Sequence, residues 1–390
     1  MPISARRSKP RRKPPAARKL PRVKFSTRAH WNAPVNQLTR ERAWRGELLD
    51  LTETNPTRAG LDYPLDELAD AMQRAARAPY DPQPLGLRSA REAVAASLQC
   101  DADDVVLTAS TSEAYSFLFK LLADPGDDVL IAIPSYPLFE HLAALELITL
   151  RTFPLELHRR WELGPIAPGP RTRAIIVVNP NNPTGSFITP DEQHALAMHG
   201  IPLIADEVFL DYPLDARGTT LVRDDLLTFT LGGLSKSAGL PHYKLGWIRV
   251  SGPATERRAA IDALELIADN FLSVATPVQA ALPELLRIAP RIRAEIAERT
   301  RANLAALHEI FASVAAARVL PVEGGWSAVL RVPRVMSDDE FALALLDRGV
   351  VVQPGYFFDF TTEGFIVVSL LVRPEIFAEG VRRIAAMIPA

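Results

Sequence analysis

Apolar positions along this chain follow two alternating rhythms. Short runs that are apolar at nearly every position (DVVLT, DVLIAI, IIVV, PLIA, LLTFTL and LGWIRV) have the pattern of strands buried on both faces. Between them, TSEAYSFLFKLLA and the stretch from Pro190 to His199 place apolar residues three to four apart, the spacing of helices. Helical spacing also runs from Asn36 to Arg45 and from Leu65 on, whereas Asn55, Pro56 and Gly60 make LLDLTETNPTRAG a loop. SAREAVAASLQ predicts a helix capped by Ser89, with Glu92 three residues later completing a capping box. Such alternation predicts an α/β fold with a mostly parallel sheet sandwiched by helices.

After Gly252 the rhythm changes to two long helices, ERRAAIDALELIADN and RIRAEIAERTRANLAALHEIFAS. A smaller α+β segment follows, in which ARVLPV, SAVLRV, VVVQPG and FIVVSLLV are the strand candidates and DDEFALALLDRG and the C-terminal stretch the helices. The predicted organisation is a large domain over residues 51–284 and a smaller α+β domain formed by both chain ends, residues 25–50 and 285–390.

At 390 residues and 48% hydrophobic composition, the chain is long enough for two domains with a sizeable core. No apolar run approaches the roughly 18 residues of a membrane helix, so no membrane association is expected. The single cysteine, Cys100, excludes an internal disulfide and a multi-cysteine metal site and points to a reducing, cytoplasmic location. The seven histidines lack ligand spacing, so no metal is expected. Residues 1–24 carry ten Lys or Arg and no acid; subtracting those ten from the net charge of −2 leaves −12 on the remainder. This tail reads as disordered. It lacks the interleaved aromatics of a nucleic-acid arm and the apolar core of a signal peptide.

Ligands of open α/β sheets bind beyond the carboxyl ends of the parallel strands, and chemistry-bearing residues cluster there. Ser110, Thr111 and Ser112 open a helix after DVVLT, either as ordinary N-caps or as a phosphate cradle built on free amides. Tyr136 follows AIP as a rim residue or a stacking ring, and NPNNPTG (Asn179 to Gly185) forms a turn from which Asn182 can offer an amide donor. Asp206 ends the apolar strand PLIAD, where a carboxylate needs a donor or cation. Lys236 stands between Ser235 and Ser237 after Gly232 and Gly233, either as a solvated loop residue or as a buried amine whose lowered pKa makes it a nucleophile. Lys244 adds a second cation. A phosphate cradle, a stacking ring, an amide donor, a buried acid and a buried lysine together describe a site for pyridoxal 5′-phosphate, PLP.

The motifs YDPQPLGLRSAREAV, VVLTASTSEA, PSYPLFE, NPNNPTG, ADEVF and SKSAGLPHYKLGW, in this order from Tyr80 to Trp247, resemble the class I and II aminotransferases of PLP fold type I. The resemblance implies a Schiff-base role for Lys236, which also shuttles a proton. It implies that Asp206 pairs the pyridine nitrogen, Asn182 bonds the phenolic oxygen and Tyr136 stacks on the ring. Ser110, Thr111, Ser112 and Lys244 then hold the phosphate, and Tyr80 reaches the phosphate of a neighbouring subunit in a homodimer with shared active sites. The implied activity is transfer of an amino group between an amino acid and a 2-oxo acid by a ping-pong mechanism. Elimination by a carbon–sulfur lyase begins with the same proton abstraction and is the alternative; a PLP-binding transcription regulator would need a DNA-binding domain for which the tail is too short.

Four departures mark this chain as a variant. Phe209 stands in place of the family's tyrosine, Gly233 in place of a phosphate-contacting serine, and Lys244 in place of an arginine that would bind bidentately. Val367 stands where the family carries the arginine that clamps the substrate carboxylate. Arg373, Arg58 and Asn55 are the candidates to replace it, and an atypical substrate or anchor is expected.

Overall fold

The computed structural model describes residues 23–29, 31, 33–215 and 218–388. All but the last two residues of the basic tail lie outside them. The N-terminal part runs through α1 (Gln37–Arg42), β1 (Leu49–Asp50), α2 (Leu65–Ala75) and α3 (Arg88–Leu98). The central α/β series is β2 (Val105–Thr108), α4 (Thr111–Leu122), β3 (Asp128–Ile133), α5 (Leu138–Leu145), β4 (Thr149–Leu157) and β5 (Trp161–Leu163). It continues with β6 (Thr172–Val178), α6 (Pro190–Ala197), β7 (Leu203–Asp206), β8 (Thr228–Gly233), α7 (Leu234–Ser237) and β9 (Gly246–Ser251). Two long helices, α8 (Ala254–Asp269) and α9 (Thr276–Phe311), lead to the C-terminal part. That part comprises β10 (Arg318–Val319), β11 (Ser327–Arg331), α10 (Asp338–Asp347), β12 (Val350–Val351), β13 (Gln353–Pro354), β14 (Phe365–Ser369) and α11 (Pro374–Met387).

The predicted sheet is present, with eight strands in the order β2-β9-β8-β7-β6-β3-β4-β5. Pairings from β8 through β7, β6 and β3 to β4 are parallel, while β9 and β5 run antiparallel to their neighbours. The central strands are buried at nearly every position, which is why they carry no polar alternation. Apolar clusters cover both faces, one built with α4 and α8 and the other with α2, α3 and α9. A second, antiparallel sheet of order β10-β11-β14-β13 carries its own core with α10 and α11.

Several local expectations need correction. The Ser89 capping box does not form, because α3 starts at Arg88 and two glutamines cap its entry instead. Leu87 N–H donates to Gln279 Oε1 at 2.6 Å, and Arg88 N–H to Gln83 Oε1 at 3.0 Å. The second long helix begins at Thr276 rather than near Arg291 and runs through Pro283 and Pro290, held there by burial of Leu282, Leu285 and Ile288 against α2 and α3. The apolar face of α9 packs in one cluster as far as Ala297 and in another from Leu307. The loop after Gly46 includes a two-residue strand, β1, that pairs in parallel with β12 and ties the N-terminal segment to the C-terminal part.

Candidate active site

The carboxyl ends of β3, β6, β7 and β8 open onto one cavity of about 360 Å³. Ser110, Thr111, Ser112, Tyr136, Asn182, Asp206, Lys236 and Lys244 all line it, although they span more than a hundred residues of sequence. Parallel pairing brings them together, because each strand delivers its last residue to the same edge of the sheet.

Lys236 is set by short-range geometry. β8 ends at Gly233, and the single turn α7 is fastened on several sides. Ser237 Oγ donates to Gly233 O at 2.7 Å, Tyr212 Oη to Lys236 O at 2.6 Å, and Arg293 Nε to Ser237 O at 3.0 Å. With the backbone fixed, Lys236 Nζ lies 5.0 Å from the Trp326 ring centroid and 5.6 Å from that of Phe209. Burial pushes the ammonium pKa down from 10.5 to about 8, against the opposing pull of Asp206. Phe209, at the tyrosine position, packs edge-on against Trp326 at 5.2 Å and so serves as wall rather than donor.

Asp206 ends β7 at 8% exposure. Its Oδ1 accepts the Val208 N–H at 3.2 Å and its Oδ2 the Tyr115 hydroxyl at 3.1 Å. Burial raises its pKa from 3.8 to about 6, while those two donors and Lys236 pull it back. The three asparagines of NPNNPTG divide by role. Asn179 bridges Thr219 O and the Ile188 N–H, and Asn181 donates to Pro134 O and Thr184 Oγ1, so both are structural. Asn182 faces the cavity with Oδ1 at 3.4 Å from Ser327 Oγ, and its Nδ2 donates to no described protein atom.

At the start of α4, Ser110 Oγ accepts the Glu113 N–H at 3.2 Å and Glu113 Oε2 returns to the Ala109 N–H at 2.6 Å. The N–H groups of Thr111 and Ser112 have no partner among the described residues. Lys244 lines the same cavity from a left-handed backbone position, φ 51°. These groups fit PLP on the chemistry of the donor set. Unpaired helix amides and an ammonium match its phosphate, an unengaged amide matches its phenolic oxygen, and a buried carboxylate touched only by neutral donors matches its ring nitrogen.

The remaining candidates do not join this set. Tyr80 is 73% exposed and lines a separate surface depression with Phe117, Leu272 and Gln279. Asn55 caps its own turn, accepting from Thr57 N–H at 3.1 Å and Thr57 Oγ1 at 2.8 Å, and it is the adjacent Thr54 that lines the cavity. Arg58 is exposed, and Arg373 stands at the N-cap position of α11 without a side-chain cap bond, its guanidinium lying over Gly60. Val367 is fully buried in β14 between Val329 and Gln353. No arginine lines the cavity among the described residues; its lining includes Gln353, the strand partner of Val367, together with Phe358, Trp326 and Ser327.

Residues 47–384 match the family model for aminotransferase class I and II. The chain belongs to this family. Its cofactor is PLP. Over 249 residues the chain is 32% identical to nicotianamine aminotransferase 1 of Oryza sativa subsp. japonica, covering 57% of this chain and 49% of that protein. It is 28% identical over 257 residues to the glutamate-pyruvate aminotransferase AlaA of Escherichia coli, covering 62% of this chain and 64% of that one. The chain thus spans about half to just under two-thirds of the length of these relatives. The crystal structure of tyrosine aminotransferase from Leishmania infantum superposes with a TM-score of 0.83 at 22% identity, covering 95% of this chain and 99% of that one.

Sequence reading missed Tyr115, Trp326, Ser327, Gln353 and Thr54. Tyr115 carried a signal, since it lies four residues after Thr111 and so on the same face of α4. The others are delivered by strands and loops far away in sequence, and nothing local marks them.

Proposed function

We propose that the protein is a cytoplasmic aminotransferase that moves an amino group between an amino acid and a 2-oxo acid in ping-pong order. The observation that carries this reading is the pairing of a lysine with lowered pKa and a buried carboxylate on adjacent strand ends of one cavity. When bound, PLP supplies an aldehyde that condenses with amines and a ring that withdraws electrons from the bond being broken. Lys236 would hold the cofactor through Nζ, and its amine, when free, would take up and return the proton of the donor's Cα. Asp206 accepts the ring N–H, Asn182 donates to the phenolic oxygen and Tyr136 stacks on the ring. The first turn of α4 and Lys244 bind the phosphate.

Tyr80 faces away from its own cavity, which supports a homodimer in which it completes the phosphate site of a second copy. Val367 removes the family's carboxylate clamp, and the neutral wall around Gln353 and Ser327 supports a substrate or anchor unlike the family norm. The test is single-turnover reaction of the holoenzyme with a panel of amino acids. Release of the matching oxo acid, without ammonia, is expected. Ammonia and pyruvate released catalytically would assign elimination instead.

A further inference from the structure

α4 brings a second residue to the site, one full turn beyond the amides that open it. Thr111 and Tyr115 stand in i, i+4 relation, about 6 Å apart along the helix axis at about 1.5 Å per residue. Tyr115 is 2% exposed, with its ring edge-on to Phe139 at 5.0 Å and 85° and tilted against Phe119 at 5.9 Å. A phenylalanine would pack as well in that pocket, whereas a buried hydroxyl is costly unless it is paired. The hydroxyl's single hydrogen bond among the described residues is the one it donates to Asp206 Oδ2 at 3.1 Å.

We propose that Tyr115 is a positioning residue whose phenol fixes the plane of the Asp206 carboxylate and holds it as an anion toward the cofactor ring nitrogen. The inference rests on the PLP reading above. Two neutral donors from different elements, Val208 N–H on Oδ1 and Tyr115 Oη on Oδ2, define the carboxylate plane and leave an acceptor site on each oxygen. Burial, and after it the nearby carboxylate, raises the proton affinity of the phenol, so Tyr115 stays a donor across the working pH range. One rigid helix thereby registers both ends of the ligand, the phosphate at its first turn and the counter-ion of the ring nitrogen at its second. The other titratable groups facing Asp206 are Lys236 from α7, Tyr136 after β3 and the adjacent Glu207; only Lys236 is cationic.

The test is a double-mutant cycle read by PLP affinity, titrating cofactor-free protein by absorbance and intrinsic fluorescence between pH 6.5 and 8.5. Y115F keeps the ring packing and is expected to weaken PLP by about tenfold to a hundredfold, the worth of a hydrogen bond to a charged group. The loss grows toward pH 6.5, where an Asp206 deprived of one donor protonates. In the D206N background there is no charge to hold, and the same substitution is expected to change affinity by no more than about twofold. Equal losses in the two backgrounds would reduce Tyr115 to a packing residue and overturn the inference alone. Absence of PLP binding by the wild-type protein would overturn the functional reading and this inference with it. Should Y115F not fold, 3-fluorotyrosine introduced at position 115 gives a stronger donor of nearly the same size. PLP affinity then holds or rises at pH 6.5, and a fall of tenfold there would overturn the proposal.

Discussion

Asp206 is predicted to be held ionised at the expense of stability, and replacing it should show how much. In the folded protein its pKa stands at about 6 rather than 3.8, chiefly because burial penalises the anion. At about 1.36 kcal/mol per unit, the cost of the charge at neutral pH is about 3 kcal/mol. The sign follows from linkage. With the folded pKa raised, the folded state binds the extra proton between pH 3.8 and about 6, so its contribution is favourable below pH 3.8 and is lost as pH rises through 6. D206N removes the charge while keeping one oxygen that can accept the Val208 N–H, its amide donating to the Tyr115 hydroxyl in place of accepting from it. Cofactor-free D206N is therefore expected to be more stable than cofactor-free wild type at pH 7.5 by up to about 3 kcal/mol, the difference closing below pH 4. Denaturant unfolding at a series of pH values, with m compared between the two proteins, measures it. The reasoning is refuted if the variant is no more stable at pH 7.5, or if its advantage does not shrink between pH 6 and 4. Addition of PLP should reverse the ranking, since only the wild type offers an anion to the ring nitrogen.

Lys236→Ala should abolish the visible absorption of the lysine-bound cofactor and all amino transfer, while stabilising the cofactor-free protein. Because the folded pKa of Lys236 is depressed to about 8, cofactor-free wild type should itself gain stability between pH 8 and 10.5, a rise absent from Lys236→Ala and readable in thermal melts. Lys244→Ala should weaken PLP by about tenfold and flatten the salt dependence of its binding, as loss of one phosphate-facing charge requires; unchanged salt dependence would remove Lys244 from the phosphate site. Phe209→Tyr adds a hydroxyl beside Trp326, and the pH-dependent absorbance transition of the holoenzyme should move to lower pH; a transition that stays in place means the hydroxyl does not reach the phenolic oxygen.

Much of the fold was legible because buried parallel strands leave a signature that needs no partner to read: IIVV and PLIA are apolar throughout since both faces are covered. Strand-end residues were legible for the same reason, as each follows its strand directly. α9 was truncated in the reading because prolines 283 and 290 break a helix on local grounds, and only contacts with α2 and α3 hold it together across them. Cap assignment at Ser89 failed likewise, since Gln279, almost two hundred residues away, supplies one of the acceptors.

From sequence alone came the α/β class, the order of the elements and the set Ser110 to Ser112, Tyr136, Asn182, Asp206, Lys236 and Lys244, all tied to local strand and turn chemistry. Tertiary structure decided which acid partner is a tyrosine, that Trp326 and Phe209 wall the lysine, that Asn55, Arg58 and Arg373 stay out of the cavity, and that Tyr80 turns away from it. The division has a physical cause. Burial along a strand is recorded in the identity of its own residues, whereas a contact between α4 and β7, or between Trp326 and α7, depends on how separately specified elements pack.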